Sequence, residues 1–123
     1  MPRTRVVFYK EDDGTVPFLD WLDGLDDKAK DKCVIKIERL AELGHELRRP
    51  EADFLRDGIY ELRTKRGHVQ YRILYFFHGA IAAVVSHGLT KENAVPASEI
   101  DRALERKAKF LKDPPRHALE ERR

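Results

Sequence analysis

The sequence predicts an α+β domain in which an N-terminal helix pair packs on one face of a mainly antiparallel sheet of about four strands, followed by a C-terminal helix. Residues 60–87 contain three runs rich in β-branched and aromatic residues, with a glycine in each short gap between them. Apolar residues recur at helical spacing on either side, over residues 17–43 and 95–112. A chain of 123 residues is large enough for one domain with its own core.

The N-terminal third is predicted to hold one short strand and two helices. Residues 5–10 form a strand that lies at an edge of the sheet or beside the later hairpin. Pro17 begins the first helix, because proline is tolerated at the first helical position. Asp26 or Asp27 can cap a second helix over about residues 28–43, and the glycine that follows is a typical C-terminal stop.

The stretch between this helix and the strands, residues 45–57, is polar and irregular. Pro50 prevents a simple helix through it, so we expect a solvated loop. Arg48 and Arg49 can extend a basic surface from this loop.

A last helix is expected over about residues 95–112, because an Asp-Pro-Pro sequence follows the last apolar residues of its stripe. The sequence shows no internal repeat and no second domain. We therefore assign residues 1–113 to a single domain and residues 114–123 to a highly charged tail with the composition of a disordered segment.

Three consecutive strands are predicted at residues 60–64, 69–77 and 80–87. Side chains alternate between the two faces of a strand, so one face collects aromatic and aliphatic groups. These are Tyr60, Leu62, Val69, Tyr71, Ile73, Tyr75 and Phe77. This face must be buried, and the two N-terminal helices are its natural cover.

The other face collects polar side chains near one end of the strands. Pairing across the first turn puts Arg63 opposite Gln70 and Glu61 opposite Arg72, and pairing across the second puts Gln70 opposite His87. Diagonal neighbours in a sheet lie roughly 7–8 Å apart, a spacing that lets two guanidinium groups bind one phosphodiester or adjacent phosphates.

Apolar side chains also occupy this second face, toward the other end of the strands: Leu74, Phe76, Ile81 and Ala83. We expect the last helix to cover them, because an apolar patch on a sheet needs a partner. The polar end would then stay open as a cleft.

Composition and charge limit the classes of function. The formal net charge of +2 hides an acidic N-terminal region and a basic cluster in the strands, made of Arg63, Lys65, Arg66, Arg72 and Lys91. Cys33 is the single cysteine, which excludes an internal disulfide and predicts a buried, inert thiol. No signal peptide and no apolar run of about 18 residues is evident, so we expect a cytoplasmic protein without membrane contact.

The sequence has no metal-ligand cluster, no glycine-rich phosphate loop, and no serine or cysteine nucleophile with an evident base, so we expect no cofactor. Such a basic cleft fits RNA cleavage in which the substrate's own 2′-hydroxyl attacks the adjacent phosphorus. Acid–base groups near the cleft are Glu61, His68, His87 and Lys91. The residues alone equally allow an ordinary ion pair between Arg72 and Glu61 and a structural role for His87.

Four stretches, in this order, resemble a known family: Tyr60-Glu-Leu-Arg63, Tyr71-Arg72-Ile-Leu-Tyr-Phe-Phe, Ser86-His87-Gly-Leu with Lys91, and Pro96 with Glu99-Ile100 and Ala103. Together they resemble the phage-derived Gp49-like branch of the HigB toxins, within the RelE/ParE superfamily of type II toxin–antitoxin systems. The resemblance covers almost the whole chain.

This resemblance implies a metal-independent endoribonuclease that cleaves mRNA on the ribosome. Arg63 matches the arginine that ends the first hairpin strand of the family, and Arg72 matches the arginine that holds the scissile phosphate. Lys91 falls in the loop after the last strand, where a basic residue is common. This branch usually has a second lysine there, whereas this chain has Glu92.

We therefore predict two sets of site residues. The catalytic set is Arg63, Arg72, His87 and Lys91. The substrate-binding set is Lys65, Arg66, His68 and Gln70.

The resemblance also implies a small helix-turn-helix antitoxin as partner, with operator DNA contacted only through that antitoxin, and contact with mRNA and the ribosome. The alternatives are a ParE-like gyrase inhibitor without RNase activity and an inactive regulatory or binding module. Exposed arginines in an open cleft favour RNA cleavage. An Arg72 tied to Glu61 and covered by the last helix favours the alternatives.

Overall fold

The computed structural model describes residues 3–79, 82–90 and 94–120. Helices and strands in this part are β1 (Arg5–Tyr9), α1 (Pro17–Asp23), α2 (Asp27–Leu43), β2 (Ala52–Arg56), β3 (Ile59–Arg66), β4 (Val69–His78), β5 (Ala82–Thr90), α3 (Ala97–Lys112) and β6 (Ala118–Leu119). The α+β class is confirmed.

The strands form one sheet in the order β2-β3-β4-β5-β1-β6. Neighbours are antiparallel except β1 and β5, which are parallel. The prediction of about four strands is therefore too low. The additional strands are β2, within the stretch that we expected to be a loop, and the short β6, within the stretch assigned to a charged tail.

Strand β2 forms because Asp57 and Gly58 make a tight turn into β3, with φ values of 51° and 86°. An Asp-Gly pair is a strong hairpin signal, since both residues tolerate positive φ. Strand β6 pairs with β1, and the buried imidazole of His117 stacks on Tyr9 with ring centroids 5.2 Å apart.

In the β3–β4 hairpin Arg66 pairs with Val69, so that Gly67 and His68 form a two-residue turn. Arg63 consequently lies opposite Arg72, and not opposite Gln70 as expected from the sequence. The register differs from our prediction by two residues. A shift of two keeps every side chain on its predicted face.

Pairing between β4 and β5 contains a bulge at Ser86, because Leu74 pairs with His87 whereas the next residue, Tyr75, pairs with Val85. The extra residue reverses the alternation. His87 stays on the same face as Arg72, but it lies opposite Leu74 and not Gln70. Val85 pairs with Tyr75 and lies on the opposite face, although an unbroken strand would place it on the same face as His87.

Both faces of the sheet are covered. Helices α1 and α2 pack on one face, over a cluster that includes Phe18, Cys33, Leu40, Leu62 and Tyr75. Helix α3 packs on the other, over a cluster that includes Leu74, Phe76, Val84, Ala103 and Phe110. This arrangement confirms the predicted cover, with two corrections: Ala83 belongs to the first cluster because of the bulge, and Val69, at the end of β4 beside the hairpin turn, is exposed. Ile81 lies outside the described residues.

Helix α2 begins and ends as its sequence predicts. The carboxylate of Asp26 accepts a hydrogen bond from the Ala29 amide at 2.8 Å, and Gly44 ends the helix with φ 53°. Cys33 on this helix is fully buried, and burial raises the pKa of its thiol to about 12. No helix in the described ranges is long and apolar enough to cross a membrane.

Candidate functional site

A cleft of about 500 Å³ opens where β3 runs past the end of β2. Strand β2 pairs with β3 as far as Ala52 opposite Leu62, followed by a hydrogen bond from the Arg63 amide to the Glu51 carbonyl at 2.8 Å. Within the described residues, no strand follows β3 beyond that point on this side. The lining residues are Lys36, Pro50, Glu51, Arg63, Thr64, Lys65, Gln70 and Arg72.

Positive charge dominates this cleft. Four of its lining side chains are cations, and Glu51 is the only carboxylate among them. Glu51 binds Lys36 and Arg39 at 2.9 Å each. Hydrogen bonds from Arg39 and then from Lys36 lower the pKa of Glu51 to about 2. Arg63 and Lys65 form no ion pair with any described residue, so their charges are the ones available to an anion.

Arg72 lies at the floor of the cleft and is tied to Glu61. Its Nη1 donates to Glu61 Oε1 at 2.6 Å, and the two residues are only 9% and 4% exposed. Its Nε is buried without a partner among the described atoms. A guanidinium fixed in this way lines the cleft but cannot reorient freely around a ligand.

His87 does not line the cleft. It is buried against α3, where its Nε2 donates to the Glu99 carboxylate at 2.9 Å. A neutral imidazole that donates through Nε2 accepts through Nδ1, here from the Ser86 hydroxyl at 2.7 Å. Burial, and then the charge of Arg106, lowers the pKa of His87 to about 4, although Glu99 opposes the shift. His87 is therefore neutral near pH 7 and joins β5 to α3.

The remaining predicted residues fall into three groups. Gln70 and Lys65 pair across the hairpin and line the cleft beside Arg63. Arg66 points to the helix side and binds Asp26, the cap of α2, while His68 is exposed in the hairpin turn and does not line the cleft. Lys91 and its neighbour Glu92 lie outside the described residues.

The structure thus brings together Arg63, Lys65, Gln70 and Arg72 from the predicted set, and adds Lys36 and Glu51, which were not predicted from the sequence. The Asp57-Gly58 turn was the signal for β2, and that strand brings Glu51 beside Arg63. No local signal identifies Lys36, because its position depends on how α2 packs against β3.

In a comparison with protein families, the model of the phage-derived protein Gp49-like family matches residues 20–108. The chain belongs to this family. All the cleft residues of this Gp49-like protein lie inside the matched region. The family is related to the toxins of toxin–antitoxin systems. None of the curated proteins compared with the chain matches it. Within the described residues, no group of histidine, cysteine and carboxylate side chains is arranged to hold a metal ion.

Proposed function

We propose that this Gp49-like protein is the toxin of a type II toxin–antitoxin system, with a RelE-like fold, and that it cleaves mRNA bound to the ribosome without needing a metal ion. The observation that supports this proposal best is the cleft at the end of β3, where Arg63 and Lys65 form no ion pair with any described carboxylate. Family membership supports the toxin context.

The proposed reaction uses the substrate's own nucleophile. The 2′-hydroxyl attacks the adjacent phosphorus and loses its proton to water, the bond to the 5′-oxygen breaks, and that oxygen takes up a proton as it leaves with its strand. The other product is a 2′,3′-cyclic phosphate. Arg63 and Lys65 would bind the non-bridging oxygens and stabilise their growing charge, and Gln70 would donate an amide hydrogen bond. The ammonium of Lys65 is also a proton donor within the cleft.

Arg72 has a supporting role in this proposal. Its link to Glu61 offsets most of its charge and fixes the guanidinium opposite Arg63, so that Arg72 holds the floor of the cleft in place. His87 is buried on the far side of Leu74 and holds α3 in place, so we propose a structural role for it in place of a catalytic one.

One observation favours a second candidate. The buried Arg72–Glu61 pair meets one of the two conditions that favour a superfamily member that binds without cleaving, such as a gyrase inhibitor or a regulatory module, although Arg72 still lines the open cleft. This candidate keeps the fold and the antitoxin partner, and lacks RNA cleavage.

Induction of the wild type, Arg63→Ala and Lys65→Ala in a bacterial host, with primer-extension mapping of a translated reporter mRNA, separates the two candidates. We expect growth arrest with in-frame cuts that both variants reduce strongly. Arg5→Ala is the matched control, because Arg5 is an exposed arginine on the far strand β1 that pairs with Glu120. Arrest without cuts would support gyrase inhibition, and no arrest would support a binding module.

Two further measurements complete the test. Cleavage by translating extracts should persist when a chelator removes trace transition metals at constant Mg²⁺, since the proposed chemistry uses only protein cations. Co-expression of a small helix-turn-helix protein that is a candidate antitoxin should relieve the arrest if that protein is the partner. A toxin that arrests growth equally in its presence would argue against that partner.

A further inference from the structure

A second cleft, of about 400 Å³, lies on the other side of the segment formed by residues 47–53. Pro50 and Glu51 of this segment line the first cleft, whereas its other residues line the second. Along β3, Tyr60 lines the second cleft and Thr64 lines the first. Four strand residues span roughly 13 Å. The two clefts are therefore neighbours along one edge of the sheet.

The second cleft has an aromatic wall. Phe54 is 54% exposed, although it is a large apolar side chain in a strand. Its ring meets Tyr60 edge to face, with centroids 5.2 Å apart and planes 76° apart. Tyr60 is itself stacked on Tyr75 at 5.4 Å, so the phenyl ring rests on a fixed support. An aromatic ring held in this way offers its open side to a planar ligand.

Two arginines line the second cleft beside these aromatic rings. Arg48 lines the cleft, is exposed, and has no ion-pair partner among the described residues. Arg49 is also exposed but binds Asp53 at 3.0 Å, so its charge is partly used. An aromatic surface beside a free cation is the combination that binds a base together with its phosphate. A protein helix would need a wider apolar surface, whereas this cleft is rimmed by charges.

We propose that the second cleft binds a nucleobase of the RNA strand whose phosphate occupies the first cleft. Phe54 stacks on the base, Tyr60 supports Phe54, and Arg48 contacts the neighbouring phosphate. The inference rests on the proposed function, because it assumes that RNA is the ligand of the basic cleft. Beyond the proposed function, it assigns a site that binds one base of the RNA. Such a site would let the protein prefer certain bases at one nucleotide near the cleaved bond.

Binding of two probes tests this inference: a labelled single-stranded RNA and inorganic polyphosphate, which carries the charge without the bases. We expect Phe54→Ala to weaken RNA binding about 5- to 150-fold, the range that corresponds to about 1–3 kcal/mol for one base stacked on an aromatic ring. Polyphosphate binding should not change. Phe54→Trp should bind RNA at least as tightly as the wild type, because the larger ring stacks better.

The controls separate this inference from the proposed function. Ile35→Ala removes an equally exposed apolar side chain, 53% exposed on α2, and should leave both affinities unchanged. Arg63→Ala should weaken both probes. If Phe54→Ala binds RNA as the wild type does while Arg63→Ala does not, the base subsite is wrong, the aromatic surface serves a protein partner, and the proposed function stands. If the wild type binds neither probe, the base subsite is wrong, and the proposed function is decided by the primer-extension mapping of the translated reporter.

Discussion

Replacing Arg72 with alanine should destabilise the protein rather than simply remove a ligand contact. The substitution leaves the Glu61 carboxylate buried and without its counter-ion, next to Leu74, which lies opposite Glu61 on β4. Removing one partner of a buried ion pair typically costs about 3–5 kcal/mol, because the remaining charge keeps its desolvation cost and loses its counter-ion. The Glu61 side chain is only 5% exposed, and water that enters from the cleft after the truncation can replace the charge of the guanidinium only in part.

A loss of that size is large compared with the whole free energy of unfolding, which is about 5–15 kcal/mol for a typical domain. It corresponds to a fall of roughly 10–20 °C in the melting temperature of a chain of this length. Urea unfolding followed by circular dichroism measures the change directly. Arg63→Ala is the matched comparison, because Arg63 is half-buried, lies directly opposite Arg72 and has no described ion pair; its loss should stay within about 1 kcal/mol.

A double variant, Glu61→Leu with Arg72→Met, tests whether the unpaired carboxylate of Glu61 causes the loss of stability. Replacing a buried ion pair with apolar groups of similar volume is often neutral, so the double variant should recover most of the stability that Arg72→Ala loses. A cost below about 1 kcal/mol for Arg72→Ala would refute the reasoning. It would mean that the pair is effectively solvated and that Arg72 is free to bind a ligand.

Three further predictions concern the stability of the fold, through His87 and Gly88, and the affinity of the cleft for RNA, through Glu51. Buried His87 has a pKa of about 4, against 6.5 in the unfolded chain. The unfolded chain therefore takes up a proton first, so that on the order of 3 kcal/mol of stability is present above pH 6.5 and is lost as the pH falls toward 4. Urea unfolding at a series of pH values should show this loss for the wild type, and His87→Gln should reduce it. Glu51→Gln should tighten RNA binding about fivefold at low salt, since about 1 kcal/mol of repulsion is removed from the cleft, and anisotropy titrations would show it. Gly88→Ala should cost about 1–3 kcal/mol in thermal or urea unfolding, because a Cβ there would lie 2.2 Å from the Trp21 ring; no loss would mean that the ring moves aside freely.

The sequence was sufficient for the faces of β3 and β4, but insufficient for their register and for the faces of β5 before the bulge. Alternation along β3 and β4 has a period of two, so an error of two residues left Arg63, Gln70 and Arg72 on one face. It did change their partners, because only the turn decides which residues lie opposite each other. The bulge at Ser86 has no local sequence signature, and it moved Val85 to the other face.

The strand β2 was not predicted, for a different reason. Pro50 and the polar residues around it favoured a loop, although the Asp57-Gly58 pair is the stronger local signal and indicates a hairpin. The error affected the site, because the segment before β2 carries Glu51 into the cleft. Lys36 was beyond prediction, since nothing in a single helix shows which of its polar side chains will reach a neighbouring strand.

Arg63 and Arg72 lie opposite each other across the hairpin, but we expect a loss of activity to have different causes in their variants. Both are single cations on the same face, and the sequence distinguishes them only by allowing an ion pair between Arg72 and Glu61. The structure buries one against a carboxylate and leaves the other beside open space. An Arg72 variant could therefore lose activity either because it unfolds or because a contact with the substrate is lost. An Arg63 variant that is inactive but stable would have lost activity only through its contact with the substrate. For this Gp49-like protein, Arg63 is the residue whose substitution tests the function.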